Sequence, residues 1–278
     1  MPELPEVETS KRYIKQFLLN AKILSIQSSV FKLRWEINPN LNFFFNNTTI
    51  LKVDRIGKYI LINTSNKNTL IIHLGMSGYL RINEANSKKI KHDHIIINFQ
   101  GINGEKKFLT FNDQRKFGYI DFHNTSNLKK HFLIKNLGID GLSKRLKYDF
   151  LNSIFLKKTT IIKSVLLDQK IICGIGNIYA SEILFYSKIH PLKKVNHLSK
   201  NEINSLLLNI KIVFSKAVLN GGTTIKDYKQ PNGKVGYFKQ KLKVYGRAKL
   251  KCYDCRSIIF KLNINKRATY ICPDCQKN

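Results

Sequence analysis

Two pairs of closely spaced cysteines stand near the end of the 278-residue chain. Cys252 and Cys255 form one Cys-x2-Cys knuckle, Cys272 and Cys275 form a second, and sixteen residues separate the two. At this spacing, two tight turns on a β-hairpin can bring four thiolates to one tetrahedral metal ion. The pattern predicts one structural zinc ion that folds a segment too small to fold alone. Two disulfides or an iron–sulfur cluster are the alternatives.

The second residue offers a different chemistry once Met1 is removed, which the small size of Pro2 permits. Pro2 then carries a free secondary α-amine. An α-amine with a pKa of about 8 is unprotonated roughly one time in ten at pH 7, whereas an ordinary lysine is unprotonated well under about one time in a thousand. Pro2 is therefore the readier nucleophile. The alternative is that Pro2 merely follows the initiator methionine.

The charge balance points to a polyanionic partner. Lys and Arg total 48 against 18 Asp and Glu, which gives a formal net charge of +30 at pH 7. Such a charge attracts nucleic acid wherever salt screening permits. The alternative explanation is the codon bias of an AT-rich genome, because Lys, Asn and Ile are abundant throughout the chain.

The composition is that of a folded globular protein. Its 43% hydrophobic content is enough for two domain-sized cores. No apolar run approaches the roughly 18 residues of a membrane span, and the start lacks a basic and then apolar signal. We therefore expect a cytosolic protein with no membrane partner. Cys173 lies alone in an apolar stretch and is expected to be a small buried hydrophobe.

These residues must be positioned by elements of several kinds. Apolar spacing predicts an amphipathic helix over residues 6–19, which would anchor the N-terminus. Short β-branched and aromatic runs between about residues 21 and 123 predict an antiparallel β-sandwich. Helical periodicity follows from about residue 127 to 220, and the cysteine module comes last. The predicted fold class is α+β, with domains over residues 1–134, 135–240 and 241–278.

Several specific segments occur in one unbroken order from residue 2 to residue 275. Besides the four cysteines, the segments are Pro2-Glu3-Leu4-Pro5-Glu6-Val7-Glu8-Thr9, His73-Leu-Gly-Met-Ser-Gly78, Lys91-His-Asp-His94, Gly174-Ile-Gly-Asn-Ile-Tyr-Ala-Ser-Glu182 and Gly221-Gly-Thr-Thr224. Together they resemble the formamidopyrimidine-DNA glycosylase family. The resemblance implies a β-sandwich with flanking helices, a helix-two-turn-helix domain and a zinc β-hairpin finger, with DNA in the cleft between the two halves.

The resemblance also implies an activity. The family excises oxidised purines, such as 8-oxoguanine and formamidopyrimidines, from duplex DNA and cuts the strand by β,δ-elimination through a Schiff base. We accordingly expect damaged double-stranded DNA as the partner, one structural zinc ion as the cofactor, and a monomer in the bacterial cytosol, associated with the nucleoid.

The catalytic roles are carried over from the resemblance residue by residue. Pro2 matches the nucleophile, and Glu3 matches the general acid/base that protonates the opening sugar. Lys58 matches the proton donor of the first elimination, and Arg267 matches the finger residue that assists the second. An isolated Glu3 would more often be a helix N-terminal charge, and Lys58 could equally be a surface charge at the start of a strand.

Three residues match those that fill the gap left by a flipped base, namely Met76, Arg115 and Phe117. The surrounding segment departs from the family pattern, because Gln114 stands where proline is typical and Lys116 where a second arginine is typical. Lys116 keeps the charge but loses the bidentate fork. Gln114 is expected to leave the loop less constrained.

Three further residues match family contacts to the DNA backbone, namely His92, Lys158 and Asn177. Asn177 lies in a glycine-rich turn, where backbone N–H groups can face a phosphate. Residues 226–238 resemble the loop that closes over the everted base.

Two other functions compete with this interpretation. A non-enzymatic zinc-finger protein that binds DNA or RNA would explain the charge and the cysteines, but it would not need a free Pro2 beside Glu3. An endonuclease VIII-like glycosylase for oxidised pyrimidines shares the Pro-Glu start, the helix-two-turn-helix and the zinc module. The Leu4-Pro5 start, the three gap-filling residues and the long loop favour the purine enzyme.

Overall fold

The computed structural model describes residues 1–84, 86–223 and 238–277. The loop predicted over residues 226–238 therefore lies outside the described residues, except for Phe238. Across the described part of the chain, no helix is both long enough and apolar enough to cross a bilayer.

The chain divides into two compact units, and each unit is built from two chain segments. Unit 1 comprises Met1–Lys135 and Asn220–Lys239, and unit 2 comprises Asn136–Leu219 and Gln240–Asn278. The described residues 220–223 and 238–239, which the sequence analysis grouped with the helical region, lie in unit 1. The cysteine module lies in unit 2 with the helices.

Unit 1 begins with helix α1, Leu4–Leu18. The backbone N–H of Glu3, the N-cap, donates to Glu6 Oε2 at 2.9 Å as half of a capping box. Pro5 is tolerated because its missing N–H would have no helical partner in the first turn. The predicted helix is confirmed, and it starts two residues earlier than predicted because these two features extend it. Its apolar face is buried at Leu4, Val7, Ile14 and Leu18.

Two four-stranded antiparallel sheets form the body of unit 1. The elements are β1 (Lys22–Ser28), α2 (Leu41–Phe45), β2 (Ile50–Ile56), β3 (Tyr59–Thr64), β4 (Asn68–His73), β5 (Tyr79–Glu84), β6 (Asp93–Gln100), β7 (Lys106–Asn112) and β8 (Tyr119–Asn124), followed by a 3-10 helix at Thr125–Lys130. One sheet has the order β1-β6-β7-β5, and the other has the order β2-β3-β4-β8.

A single hydrophobic core joins these elements. Buried side chains from α1, α2 and both sheets belong to the same cluster, with Phe45, Phe99 and Phe111 among the largest of them. Burial of such a continuous apolar face is the main force that holds two sheets together. The predicted β-sandwich is therefore confirmed.

Unit 2 combines helices with a small hairpin. Its elements are β9 (Ile139–Asp140), α3 (Tyr148–Phe155), α4 (Ile162–Leu167), β10 (Ile172–Cys173), α5 (Asn177–Tyr186), a 3-10 helix at Val195–His197, α6 (Lys200–Leu219), β11 (Phe260–Ile264) and β12 (Arg267–Ile271). Strands β9 and β10 pair in parallel, and β11 and β12 form an antiparallel hairpin. The predicted helical region and its terminal hairpin are confirmed.

Glu182 on α5 joins the helices of unit 2 to the segment that leads into the hairpin. Its carboxylate is fully buried and accepts backbone N–H groups from Lys243 at 2.8 Å, Val244 at 2.9 Å and Tyr245 at 2.8 Å. Burial raises the pKa of Glu182, although the three N–H donors act in the opposite direction. This single side chain therefore binds three consecutive backbone donors.

Replacing Glu182 with glutamine should weaken the bonds between α5 and residues 243–245. The amide would turn an NH2 group toward one backbone N–H, so we expect the free energy of unfolding of unit 2 to fall by about 1–3 kcal/mol. Hydrogen exchange at residues 243–245, measured with urea denaturation, checks the prediction. The matched control is Glu202→Gln, which breaks a part-exposed ion pair with Lys193 and should cost less than about 1 kcal/mol. Equal effects of the two substitutions would contradict the prediction.

Candidate active site

The start of the chain is fixed by a buried carboxylate in unit 1. Pro2 is buried, and Glu3 is 2% exposed at the beginning of α1. Glu6 accepts the backbone N–H of Glu3 at 2.9 Å, and it also accepts the backbone N–H of Thr223 at 2.7 Å and the Thr223 hydroxyl at 2.9 Å. The first residues are thus tied to a chain segment 217 positions away from Glu6. Beyond the undescribed residues, Phe238 N–H donates to Gly222 C=O at 3.2 Å.

A pocket of about 600 Å³ in unit 1 brings the chain start together with the predicted gap-filling residues. Its lining includes Met1, Arg34, His73, Met76, Arg115 and Phe117. The Arg115 guanidinium lies 4.8 Å from the centre of the Phe117 ring, which is 40% exposed. An apolar ring and a planar cation therefore stand side by side on one wall.

Lys58 lies in the two-residue turn between β2 and β3, where it is buried. The turn is braced by Arg55, whose Nη1 donates to Gly57 C=O at 2.7 Å and whose Nε donates to Glu8 Oε2 at 2.9 Å. Burial alone would raise the pKa of Glu8, but hydrogen bonds from Lys11, Arg55 and Arg12 hold it below its usual value. Glu8 on α1 therefore fixes the turn that carries Lys58.

His73 adds a neutral donor to this pocket. Burial, followed by the positive charges of Lys58 and Arg34, lowers the pKa of His73 to about 4. The backbone N–H of Gly75 donates to His73 Nδ1 at 3.1 Å, so the neutral ring carries its proton on Nε2. The sequence analysis included His73 in one of the family-like segments but gave it no role, because its burial near two cationic side chains arises only in the tertiary structure.

His92 also lies in unit 1, immediately before β6. Its backbone adopts φ of +72°, which is unusual for a residue with a side chain. Its C=O accepts the backbone N–H of Asp113 at 3.0 Å, and its ring centre lies 6.2 Å from that of His94.

The other predicted DNA-binding residues, Lys158 and Asn177, lie in unit 2, and so does Arg267, which was predicted to be catalytic. Lys158 is exposed just beyond α3. Asn177 is the first residue of α5, and its Nδ2 donates to Ala268 C=O on the hairpin at 2.8 Å. Arg267 is exposed at the first position of β12, directly after the Asn265-Lys266 turn. Both turn residues have positive φ, 50° and 59°, as a type I′ hairpin turn requires.

A buried lysine that the sequence analysis missed holds the same hairpin. Lys163 on α4 is 1% exposed, and its Nζ donates to Thr269 Oγ1 and, at 3.4 Å, to Ala268 C=O. Burial, followed by repulsion from Arg267, lowers the pKa of Lys163 to about 8. Asn265 Nδ2 also donates to Ser164 Oγ at 2.9 Å. The helices therefore fix the direction of the strand that begins with Arg267.

The four cysteines of the predicted metal site converge in unit 2. Their sulfur atoms all lie within 4.8 Å of one another, with Cys252 Sγ 3.9 Å from Cys275 Sγ and Cys255 Sγ 3.3 Å from Cys272 Sγ. These separations are too long for disulfides. They are close to the spacing of about 3.8 Å expected between thiolates around a tetrahedral ion with metal–sulfur bonds of about 2.3 Å. The donor set therefore fits one metal ion.

Comparisons with known proteins agree over the whole chain. Residues 1–120 match the model of the formamidopyrimidine-DNA glycosylase N-terminal domain, and residues 137–229 match that of the formamidopyrimidine-DNA glycosylase H2TH domain. The formamidopyrimidine-DNA glycosylase of Rickettsia felis is 43% identical, and the alignment covers 99% of this chain and 98% of that protein.

Two solved structures are similar over the full length. A mutant of Lactococcus lactis FPG, in complex with DNA containing Fapy-dG, has a TM-score of 0.90 and 32% identity and covers 100% of both chains. MutM in complex with DNA containing carbocyclic 8-oxo-G has a TM-score of 0.88 and 32% identity and also covers 100% of both chains.

The lowered pKa of His73 predicts a pH dependence of stability. Between pH 6.5 and about 4, the unfolded chain binds a proton at this residue and the folded chain does not, so the free energy of unfolding must fall as the pH falls through this window. His73→Asn keeps an acceptor for Gly75 N–H and removes the titration. We expect a smaller loss of Tm between pH 6.5 and 4 than in the natural protein. Exposed His197 provides the control, His197→Asn, which should leave the Tm profile unchanged. If His73→Asn lost as much Tm between pH 6.5 and 4 as the natural protein, the lowered pKa of His73 would be refuted as the cause.

Proposed function

Because the chain belongs to the formamidopyrimidine-DNA glycosylase family, we propose that it is a bifunctional DNA glycosylase and AP lyase that excises oxidised purines from duplex DNA and then cuts the strand. The observation that carries this proposal is the placement of the chain start, with Pro2 and Glu3 anchored through Glu6, beside the pocket lined by Met76, Arg115 and Phe117. A nucleophile and a gap-filling wall within one unit are what excision from a duplex requires.

The nucleophile of this proposal is the secondary amine that Pro2 gains when Met1 is removed. Its nitrogen forms a bond to C1′ of the damaged nucleotide and passes its proton to Glu3. The C1′ bond to the base breaks, so the base leaves with the bonding electrons and takes up a proton from water. Glu3 then protonates the ring oxygen as the sugar opens. The resulting iminium is cationic without any further proton, because the nitrogen of proline has no hydrogen left to lose.

The same iminium explains strand cleavage. It withdraws electrons from C2′, so a C2′ proton can leave and the bond to the 3′ phosphate can break. In this proposal Lys58 donates a proton during the first elimination, and Arg267 assists the second elimination on the 5′ side. Burial of Lys58 and the bracing of its turn by Arg55 support a fixed position for its ammonium.

The preferred substrate is inferred from the gap-filling residues. Met76 and Phe117 supply apolar surface that can enter the base stack, and Arg115 can donate hydrogen bonds to the acceptor edge of the orphaned cytosine. Adenine offers a donor at that edge, so it is a poorer partner for a guanidinium. We therefore infer a preference for 8-oxoguanine opposite cytosine and for formamidopyrimidines, over oxidised pyrimidines such as thymine glycol.

The backbone of damaged double-stranded DNA is held, in this proposal, by His92, Lys158 and Asn177. The net charge of +30 supports binding that weakens steeply with salt, since cationic side chains release counterions from the duplex. We propose that the protein acts as a monomer in the cytosol.

Borohydride trapping tests the enzymatic function directly. A duplex with 8-oxoguanine opposite cytosine should give a stable covalent adduct at Pro2, because borohydride reduces the iminium. Protein that retains Met1 should give neither adduct nor base release, since its Pro2 nitrogen is an amide. Excision without any trappable adduct would refute the mechanism, and binding with neither excision nor adduct would favour a non-enzymatic zinc-finger protein. Faster excision of thymine glycol than of 8-oxoguanine would favour the endonuclease VIII-like alternative.

The metal in the four-cysteine site is proposed to be zinc with a structural role. Metal analysis should give one zinc per chain, and Cys272→Ala should lose that zinc, unfold the hairpin and weaken DNA binding while the β-sandwich stays folded. The matched control is Cys173→Ala, because Cys173 is equally buried in unit 2 but lies outside the cluster; this variant should keep its zinc. Freshly isolated protein with iron, or with all four cysteines oxidised, would refute the proposal.

A further inference from the structure

Two loops of unit 1 carry the three gap-filling residues. The Met76 loop comprises residues 74–78, between β4 and β5, and the wedge loop comprises residues 113–118, between β7 and β8. The sequence suggested that Gln114, in place of proline, leaves the wedge loop less constrained. The structure reveals a different source of constraint at Asp113.

The Asp113 carboxylate is fully buried and bonds to both loops. Its Oδ1 accepts the Ser77 hydroxyl at 2.6 Å, and its Oδ2 accepts the backbone N–H of Gly118 at 2.6 Å. Hydrogen bonds to an ionised acceptor are short and roughly twice as strong as neutral ones. One side chain therefore closes the wedge loop and joins it to the neighbouring loop.

The Ser77 hydroxyl also fixes the backbone at Arg115. Because its proton is committed to Asp113, its lone pair is left to accept the backbone N–H of Arg115 at 3.1 Å. The wedge loop is thus held at Arg115 through Ser77, and at Gly118 directly. Phe117 lies between these two attachment points.

Backbone contacts hold the same arrangement from the other side. Gly75 has φ of +66°, and a Cβ placed on it would lie 2.3 Å from the Phe117 carbonyl carbon and 2.4 Å from Gly118 N. The two loops therefore touch without any intervening side chain. Asp113 itself is fixed, because its N–H donates to His92 C=O at 3.0 Å and its C=O lies 3.0 Å from His94 Nε2.

We propose that Asp113 is a positioning residue, whose carboxylate, acting with the Ser77 hydroxyl, locks the Met76 loop and the wedge loop into one rigid wedge before DNA binds. The proposal rests on the proposed function, because the wedge matters only if a base is extruded. A wedge that is already ordered loses little conformational entropy when it enters the base stack. Through Ser77, Asp113 also sets the position of Arg115, which faces the orphaned base in the proposed function.

The test compares three substitutions in single-turnover assays on 8-oxoguanine opposite cytosine and opposite adenine. Asp113→Ala removes both bonds, and we expect excision opposite cytosine to fall by about tenfold or more, because small displacements of positioned groups are costly. Ser77→Ala keeps the bond from Gly118 N–H to Asp113 but releases Arg115 and the Met76 loop, so it should lower the cytosine-to-adenine rate ratio. Asp113→Asn should be intermediate, because its one amide oxygen can take over the bond from Gly118 N–H while its NH2 group donates to Ser77 Oγ.

The matched control is Asp121→Ala, which removes a carboxylate of the same unit that bonds to Tyr119 and His131 outside the two loops. It should change both the excision rate and the rate ratio by less than about twofold. All assays are run below the lowest Tm of the set. Strand cleavage at a preformed abasic site should fall less than excision, since no base has to be extruded there.

The outcomes separate the two proposals. If the natural protein excises 8-oxoguanine but Asp113→Ala and Asp121→Ala behave alike, the positioning role is wrong and the proposed function stands. An unchanged rate ratio in Ser77→Ala would likewise overturn the link to Arg115. If the natural protein excises no lesion, the proposed function itself fails, and the role of Asp113 in excision fails with it.

Discussion

The proposed chemistry requires a chain terminus to be held in place, although termini are normally among the least ordered parts of a domain. The structure meets this requirement by making the first residues the start of a helix whose apolar face is buried in the core of unit 1. Glu6 completes the anchor, since its carboxylate bonds both to Glu3 and to Thr223. The proposed reaction depends on this anchor, because a mobile amine could not be aligned with C1′ of a flipped nucleotide.

Buried carboxylates that accept backbone N–H groups recur as the means of fixing functional segments. Glu6 orders the chain start, Asp113 orders the wedge loop, and Glu182 joins helix α5 to the segment before the hairpin. An ionised carboxylate can satisfy several donors at once, and its hydrogen bonds are stronger than those between neutral groups. Such a group is costly to bury without partners, so its removal disturbs several backbone segments together.

The abundant lysines of this chain have more than one role. The exposed lysines contribute to the positive field that is proposed to attract DNA, and this contribution requires only that they be numerous. Lys163 is different, because it is buried beneath the hairpin and bonds to Thr269 and Ala268. Codon bias can explain how lysine became common, but it does not explain why this lysine is placed inside the protein.

The sequence by itself determined the features that depend on short separations along the chain. The spacing of the four cysteines predicts a metal-binding geometry, the Pro2-Glu3 start predicts a nucleophile beside a carboxylate, and short β-branched and aromatic runs predict the strands of the sandwich. Only the tertiary structure decided that Asp113 bonds to Ser77, that Glu6 bonds to Thr223, and that Lys163 lies beneath the hairpin. The bonded residues are 36, 217 and 106 positions apart along the chain, in that order. No local period marks such partners, because their proximity arises only when separate elements pack around a common core.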